Sequence, residues 1–315
     1  VIDESHGIHT LGLDIGGTKT TAVVVDGPGR VVSQLTVPTP ALDGSSAVLA
    51  AALAVGLEAA AGHSIAAVGV GAAGVIDSEL GTVLSATSSL PGWAGTRLRA
   101  AFDGGFPGVP VAVLGDVQAF ALAEATLGAA VSQRIVLGVT VGTGIGGALL
   151  IDGRLIHGAH SAAGHLGHVS VAAAAGLPCP CGRSGHVEAI ASGPAMTGAF
   201  RAAGGTAADL PAVVEAARAG DDRASRILQA GIDALGEAIG SVANLLDPDV
   251  VVIGGGVSRL GEPWLEGVRA AALRFTIPAI GAVRLERGLL GAHSAAIGAA
   301  VAAAQLQRQT VGEPR

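Results

Sequence analysis

Short, nearly continuous apolar runs alternate with Ala-rich stretches along the 315 residues. Leu11–Asp26 (LGLDIGGTKTTAVVVD) starts as a strand, breaks at glycines, and resumes as a β-branched run ending at Gly27-Pro28-Gly29, which predicts a hairpin. Val31–Val37 reads as a third strand, and Ser45–Gly62 as a helix closed by glycine. Ile65–Val70 and Val111–Leu114 have the unbroken apolar character of strands buried on both faces, and each runs straight into polar or glycine-rich residues. Asp116–Leu127 reads as a helix and Arg134–Val141 as a strand. Gly142 to Gly147 forms a tight turn before another strand, Ala148–Ile151. This second strand–turn–strand unit echoes the first and predicts two related lobes. From Gly193 the pattern is mainly helical, notably Asp209–Ala219 and Ala224–Leu246, until the strand Val250–Ile253 meets Gly254-Gly255-Gly256. A last Ala-rich helix, Ser294–Gln305, is expected to cross back to the first lobe.

Composition narrows the class. Half the residues are apolar, only 14% are charged and 2% aromatic, and there are 50 glycines without a collagen-like period, which excludes disordered and fibrous chains. A core of small aliphatic side chains suits sheets covered by Ala-rich helices. With 18 Lys plus Arg against 25 Asp plus Glu, the net charge is −7. No basic stripe offers itself to phosphate backbones, so nucleic acid is not an expected partner. The first ten residues carry Asp3, Glu4 and two His where a secretory leader needs a cationic start and an apolar run, and the longest uncharged apolar stretch, Ala47–Leu57, is about half a membrane span. A soluble cytoplasmic protein is expected.

Asp14-Ile15-Gly16-Gly17-Thr18-Lys19-Thr20 lies between two strands. There glycines let backbone N–H groups approach phosphate oxygens, Thr and Lys add donors, and an Asp at a strand end can hold hydrated Mg²⁺. The second turn, with Thr143 and Gly144, suits the other end of a triphosphate, and Gly254, Gly255 and Gly256 suit the underside of a base or ribose. None of the three has the Lys-Ser/Thr ending of a P-loop or the strand–turn–helix placement of a dinucleotide fingerprint. The only cysteines, Cys179 and Cys181, are one residue apart, a spacing that strains a disulfide but lets two thiolates converge on a metal.

Taken in order, DIGGTK (Asp14–Lys19), GAAGVID (Gly71–Asp77), SLPGW (Ser89–Trp93), GDVQAFALAE (Gly115–Glu124), GTGIGGALLIDGRLIHGAHSAAGHLGHVSV (Gly142–Val171) and CPCGRSGHVEAIASG (Cys179–Gly193) resemble the ROK sugar kinases from about Leu11 to Val301. The resemblance implies an α/β fold of the actin-like ATPase (ribonuclease H-like) type, with two α/β lobes and a substrate cleft between them. A small lobe is expected over 1–118, with a C-terminal helix at about 297–315 packing back on it, and a large lobe with a zinc motif over 119–296. Implied too are ATP with Mg²⁺, a structural Zn²⁺, a homodimer, and transfer of the γ-phosphoryl to a hexose hydroxyl, usually at C6. Repressors of the family carry a winged helix before the first glycine motif; thirteen residues precede Asp14 here, so none is expected.

Asp116 matches the family's catalytic Asp, an ionised carboxylate able to orient the attacking hydroxyl and accept its proton; the same residue also suits a helix N-cap. His168, Cys179, Cys181 and His186 give H-x10-C-x-C-x4-H, with His186 where the family usually has a third Cys, and imidazole can replace thiolate at zinc. Gly74, Ser89, Gly115, Asp116, His165, His168 and Glu188 fall at sugar-binding positions. Three of these depart from the pattern: Asn becomes Gly115, Asn becomes Ser89, and the Glu of E-x-G-H becomes His165. His165 and GRSGHVEAIASG are similar to bacterial N-acetylmannosamine kinases. Gly115 removes an amide donor near the sugar's C3 and C4, which suits an ammonium substituent that can only donate. Kanosamine (3-amino-3-deoxyglucose) kinases of this family occur in actinomycete antibiotic pathways. The expected acceptor is therefore an amino sugar, kanosamine ahead of N-acetylmannosamine. The alternatives are glucose, or a sugar-responsive binding protein without catalysis; polyphosphate remains open as a donor. His157 and His160 are expected on a surface or pocket rim, His63 as a helix C-cap, and Trp93 at the cleft mouth.

Overall fold

The computed structural model describes residues 9–27, 29–87 and 90–311. The chain divides into two compact units, the first holding the described residues of 1–132, 153–163 and 289–315, the second those of 133–152 and 164–288. The first boundary falls later than the expected 118/119, because the helix starting at Asp116 packs entirely within the first unit.

In the first unit, β1 (His9–Ile15) and β2 (Lys19–Val25) form the expected hairpin, β3 (Val31–Pro38) extends it, and α1 (Ser45–Ala59) follows. β4 (Ile65–Ala72) pairs parallel to β1, and β5 (Val75–Asp77) with β6 (Thr82–Ser85) makes a small hairpin, missed at the level of sequence, before α2 (Leu98–Gly105). β7 (Val111–Gly115) pairs parallel to β4 and leads directly into α3 (Asp116–Leu127), so the main sheet runs β3-β2-β1-β4-β7. Leu11, Leu13, Ile15, Val68, Val70, Trp93 and Phe102 build its core. Trp93, expected at a cleft mouth, is instead 1% exposed, its indole Nε1 donating to the Ala73 carbonyl at 3.1 Å. A buried indole needs such a partner, and the carbonyl just beyond β4 supplies it.

The Gly and Ala content has a mechanical use in this unit. A Cβ at Gly12 would lie 2.0 Å from the Ala296 carbonyl oxygen, one at Gly69 1.8 Å from that of Ala299, and one at Gly298 1.8 Å from that of Ala119. The last helix, α9 (Ser294–Val311), thus rests its backbone on β1, β4 and α3 without intervening side chains. At the far end of α3 the fully buried Glu124 accepts from the N–H groups of Ala129, Leu289 and Leu290 and from the Ser294 hydroxyl, at 3.0 to 3.2 Å. One carboxylate so anchors the segment about to leave this unit and the segment that has just returned.

The second unit repeats the plan. β8 (Ile135–Val141) and β9 (Ile145–Ile151) form a hairpin, and β10 (Arg154–Ile156) lies in the segment that counts with the first unit. Helices α4 (Glu188–Ala191), α5 (Gly193–Ala202), α6 (Leu210–Arg218) and α7 (Asp222–Leu246) precede β11 (Val250–Gly254), parallel to β8; α8 (Glu262–Leu273) then leads to β12 (Leu285–Arg287), parallel to β11. Ser192, Asp209 and Asp221 cap the starts of α5, α6 and α7 with their side-chain oxygens. Gly236 and Gly240 of α7 let α8 approach in the same manner as α9: a Cβ on either would fall within 2.4 Å of Ala271 or Ala272. Among the described residues no helix is long and apolar enough to cross a membrane.

Candidate active site

Parallel pairing gathers the chemistry of the first unit at one sheet edge. Asp14 lies opposite Gly71, and Ala72 opposite Gly115, so the carboxyl ends of β1, β4 and β7 bring together the first glycine turn, the Gly71–Gly74 segment and Asp116. In open α/β sheets this end of the strands is where ligands bind. The turn closes with the Gly16 N–H on the Lys19 carbonyl at 3.1 Å, leaving Gly17 half-buried and Thr18 and Lys19 exposed. Thr20 differs from its neighbours: it is fully buried, and its hydroxyl is paired with that of Thr39 at 2.9 Å, so it braces the turn from beneath. Gly74 has φ +108°, and a Cβ there would lie 2.4 Å from the Ser85 carbonyl oxygen, which makes it a requirement of the backbone.

Asp116 is the first residue of α3. Burial pushes its carboxyl up to about 6, although the Val117 N–H, donating to Oδ1 at 2.8 Å, pulls the other way. Asp14 is raised to about 7 by burial and then by repulsion from Asp116, with Lys19 drawing it back. Two buried carboxyls, Asp14 raised in part by Asp116, are chemically able to hold a divalent cation or to accept a proton. Gly115, just before Asp116, has an ordinary extended conformation (φ −66°, ψ 148°), and a Cβ there would meet only Gln118 side-chain atoms at 3.5 to 3.7 Å. The backbone does not demand glycine here. The Gln118 side chain takes up part of the freed room, accepting from the Gly115 N–H at 3.0 Å and facing His157 Nδ1 at 3.5 Å. His157 is thus half-buried against α3, while His160 is exposed. Ser89 lies outside the described residues.

In the second unit β8 and β11 carry their glycine turns side by side, Gly254 opposite Thr140. Gly255, at φ +84°, sits so close to β8 that a Cβ would be 2.4 Å from the Val141 carbonyl oxygen, and the Ser258 hydroxyl closes its turn on the Gly255 carbonyl at 2.7 Å. Thr143 is exposed on the neighbouring turn. The strand after that turn begins at Ile145, three residues before the expected Ala148, because antiparallel pairing with β8 already starts at Ile145 opposite Val141; the Ile145 N–H is also held at 2.7 Å by the Glu188 carboxylate. Glu188 itself is 6% exposed.

His168, Cys179, Cys181 and His186 converge, their ligand atoms all within 4.8 Å of one another. Cys181 Sγ is 3.3 Å from His186 Nδ1, and Cys179 Sγ 3.8 Å from His168 Nδ1. A tetrahedral ion with bonds of 2.0 to 2.3 Å needs ligand–ligand edges of about 3.3–3.8 Å, so the four residues fit zinc with small adjustments. Tight turns make the convergence possible: the Gly182 N–H closes on the Cys179 carbonyl at 3.0 Å, and Gly182 and Gly185 both have positive φ. Burial raises the Cys179 thiol to about 11 and lowers His168, whose depression Glu188 opposes. His165 stacks on His168 with ring centroids 6.1 Å apart, and His168 in turn lies 5.2 Å from His186, so the residue at the altered sugar position leans on the cluster.

The ROK family profile matches residues 10–306. An N-acetylgalactosamine kinase of Shewanella sp. strain ANA-3 is 35% identical over 261 residues, covering 80% of this chain and 82% of its own. An N-acetylmannosamine kinase of Yersinia pseudotuberculosis is 33% identical over 293 residues, 90% and 96% of the two chains. A crystal structure of a ROK family glucokinase from Streptomyces griseus, in complex with glucose and AMPPNP, superposes with a TM-score of 0.82 at 33% identity, covering 94% of this chain and 99% of that one.

Proposed function

This chain belongs to the ROK family and has its actin-like ATPase fold, and from that premise we propose that it is an ATP-dependent sugar kinase acting on the 6-hydroxyl of an amino sugar. The observation that carries the kinase reading is Asp116 at the carboxyl end of β7, held near pH 6 beside the raised Asp14 and the first glycine turn. The C6 oxygen attacks the γ-phosphorus, the bond to the β,γ-bridging oxygen breaks, ADP departs, and the hydroxyl proton passes to Asp116. Asp14 would hold Mg²⁺, which spreads the charge of the phosphates. Gly16, Gly17, Thr18 and Lys19 from the first unit, and Thr143, Gly144 and Gly254 to Gly256 from the second, are the nucleotide residues, with Thr20 supporting the first turn. His168, Cys179, Cys181 and His186 would hold a structural zinc that fixes the loop bearing His165 and Glu188. The active species is a homodimer.

Gly74, Ser89, Gly115, His165, His168 and Glu188 are the sugar residues. What supports an amino sugar is Gly115: its backbone needs no glycine, so the missing side chain leaves room and removes a donor beside Asp116. Kanosamine fits that change best, and His165 favours N-acetylmannosamine as the second reading. Sugar-stimulated ADP release, measured over kanosamine, N-acetylmannosamine and glucose, should be fastest with an amino sugar. Silence with every sugar would leave a non-catalytic binding protein. Gly115→Asn with His165→Glu should move preference toward glucose by more than about tenfold, since each contact is worth on the order of 1–3 kcal/mol. An unmoved preference ratio in a folded, active variant would remove the amino-sugar reading.

A further inference from the structure

Glu188 stands at a sugar-contact position, yet its carboxylate is already engaged inside the second unit. Oε2 accepts from the Ile145 N–H at 2.7 Å, and the same oxygen lies 2.7 Å from where a Cβ on Gly144 would be. A side chain at Gly144 would therefore crowd the oxygen that holds the turn. Oε1 faces the other way, 3.9 Å from Cys179 Sγ. Five residues on, the Gly193 N–H donates to the Gly142 carbonyl at 2.9 Å, and the Gly193 carbonyl accepts from the Thr197 hydroxyl at 2.8 Å. The segment from α4 into α5 thus grips the Gly142–Ile145 turn at both ends, once by a carboxylate and once by the backbone. A turn of three consecutive non-helical residues has few internal bonds to hold it, and here the Gly142 N–H on the Gly144 carbonyl, at 2.9 Å, closes it from within.

We propose that Glu188 is a positioning residue for the nucleotide turn: it sets the turn's backbone through the Ile145 N–H, so that the turn meets the phosphates of ATP preformed. The inference rests on the reading of Gly142–Gly147 as a nucleotide turn. A carboxylate has about four acceptor sites on its two oxygens, so Oε1, although it faces the Cys179 thiol, keeps acceptor capacity for a sugar hydroxyl while Oε2 holds the turn. One side chain then answers to both substrates. A buried bond to a charged acceptor is strong enough that its loss is felt at the donor, and the affected ligand distinguishes this role from sugar contact alone.

The test is AMPPNP–Mg²⁺ binding by calorimetry without sugar, alongside sugar binding without nucleotide. Glu188→Gln keeps an amide oxygen for the Ile145 N–H and should hold nucleotide affinity within about threefold of wild type, while Glu188→Ala should weaken it about tenfold or more. Gly144→Ala, which drives a methyl group against Oε2 without touching the Cys/His cluster, should reproduce the nucleotide defect and serves if Glu188→Ala does not fold. Thr143→Ala is the control on the turn itself. If Thr143→Ala weakens AMPPNP but Glu188→Ala and Gly144→Ala do not, the nucleotide reading stands and Glu188 is no positioning residue. If Glu188→Ala and Glu188→Gln weaken sugar alike and leave AMPPNP unchanged, Glu188 is a sugar contact only. Wild-type protein that fails to bind AMPPNP overturns the nucleotide reading and this inference with it.

Discussion

The two glycine hairpins have the same outline and opposite interiors. The β1–β2 turn is charged and lightly held: Asp14 precedes it, the chain's only lysine, Lys19, closes it, and the Gly16 N–H spans it to the Lys19 carbonyl. The β8–β9 turn contains no charged residue and is surrounded, with Glu188 on Ile145, Gly193 on Gly142, and Gly255 pressed against Val141. One turn supplies electrostatics and the other supplies rigidity. A repeated supersecondary unit can thus be specialised without altering its backbone, by choosing which side chains approach it from elsewhere in the chain.

The largest expected effect tests the charged side. Asp116→Asn should lower kcat by at least about 10²-fold while leaving sugar binding and the circular dichroism spectrum intact; near-normal turnover would remove the base. In the wild type both Asp14, raised to about 7, and Asp116, raised to about 6, must be ionised to act, so kcat/KM should fall below roughly pH 7 and more steeply below roughly pH 6, and only the first of these limbs should survive in the Asn variant's residual rate.

Alanine at Gly16 of the β1–β2 turn and at Gly255, which presses on the β8–β9 turn from the end of β11, sharpens the contrast in packing. Gly255→Ala meets both a positive φ and a backbone oxygen at 2.4 Å, and should cost roughly 2–4 kcal/mol in urea melts. At Gly16 the nearest atom is 3.2 Å away and no positive φ is imposed, so Gly16→Ala should cost less than about 1 kcal/mol. Equal losses would mean that the contact of Gly255 with Val141 braces its surroundings no more than the open site at Gly16 does. His186→Ala reaches the braced side through the Cys/His cluster: if the cluster holds zinc, elemental analysis should find about one zinc per wild-type chain and less in the variant, with a Tm lower by several degrees.

The smallest effect concerns stability and pH. Asp14 is raised from 3.8 to about 7, so the folded state holds its proton more tightly than the unfolded chain. Its contribution is favourable in acid and is lost as pH rises through about 7. Asp14→Asn should therefore raise Tm by about 2 °C at pH 8 and by less at pH 5, even as it abolishes Mg²⁺-dependent turnover. A variant less stable at pH 8 would show that Asp14 is favourably paired rather than poised.

Much of this was readable from local pattern. Strand, glycine and Asp in succession placed Asp116 at the start of α3, and the spacing of His168, Cys179, Cys181 and His186 anticipated their convergence. Contacts across long sequence gaps were not. The Ile145 N–H is held by a carboxylate 43 residues later, and Glu124 appeared as one letter of a motif until its partners 165 and 166 residues away came into view. Trp93 misled for the same reason: an aromatic beside Pro-Gly looks exposed until the Ala73 carbonyl is beside it. Gly12, Gly69 and Gly298 gave no local signal at all, since each is required by a backbone reached only through the fold.

The seam formed by those three glycines also orders events on the ribosome. Residues 133–288 are synthesised after β1 and β4 and before α9, so the groove over Gly12 and Gly69 must wait, uncovered, while more than a hundred residues emerge. At a translation rate of about 5–20 residues per second, that interval lasts on the order of ten seconds or more. Throughout it the side of β1 and β4 that α9 covers in the folded chain lacks that helix.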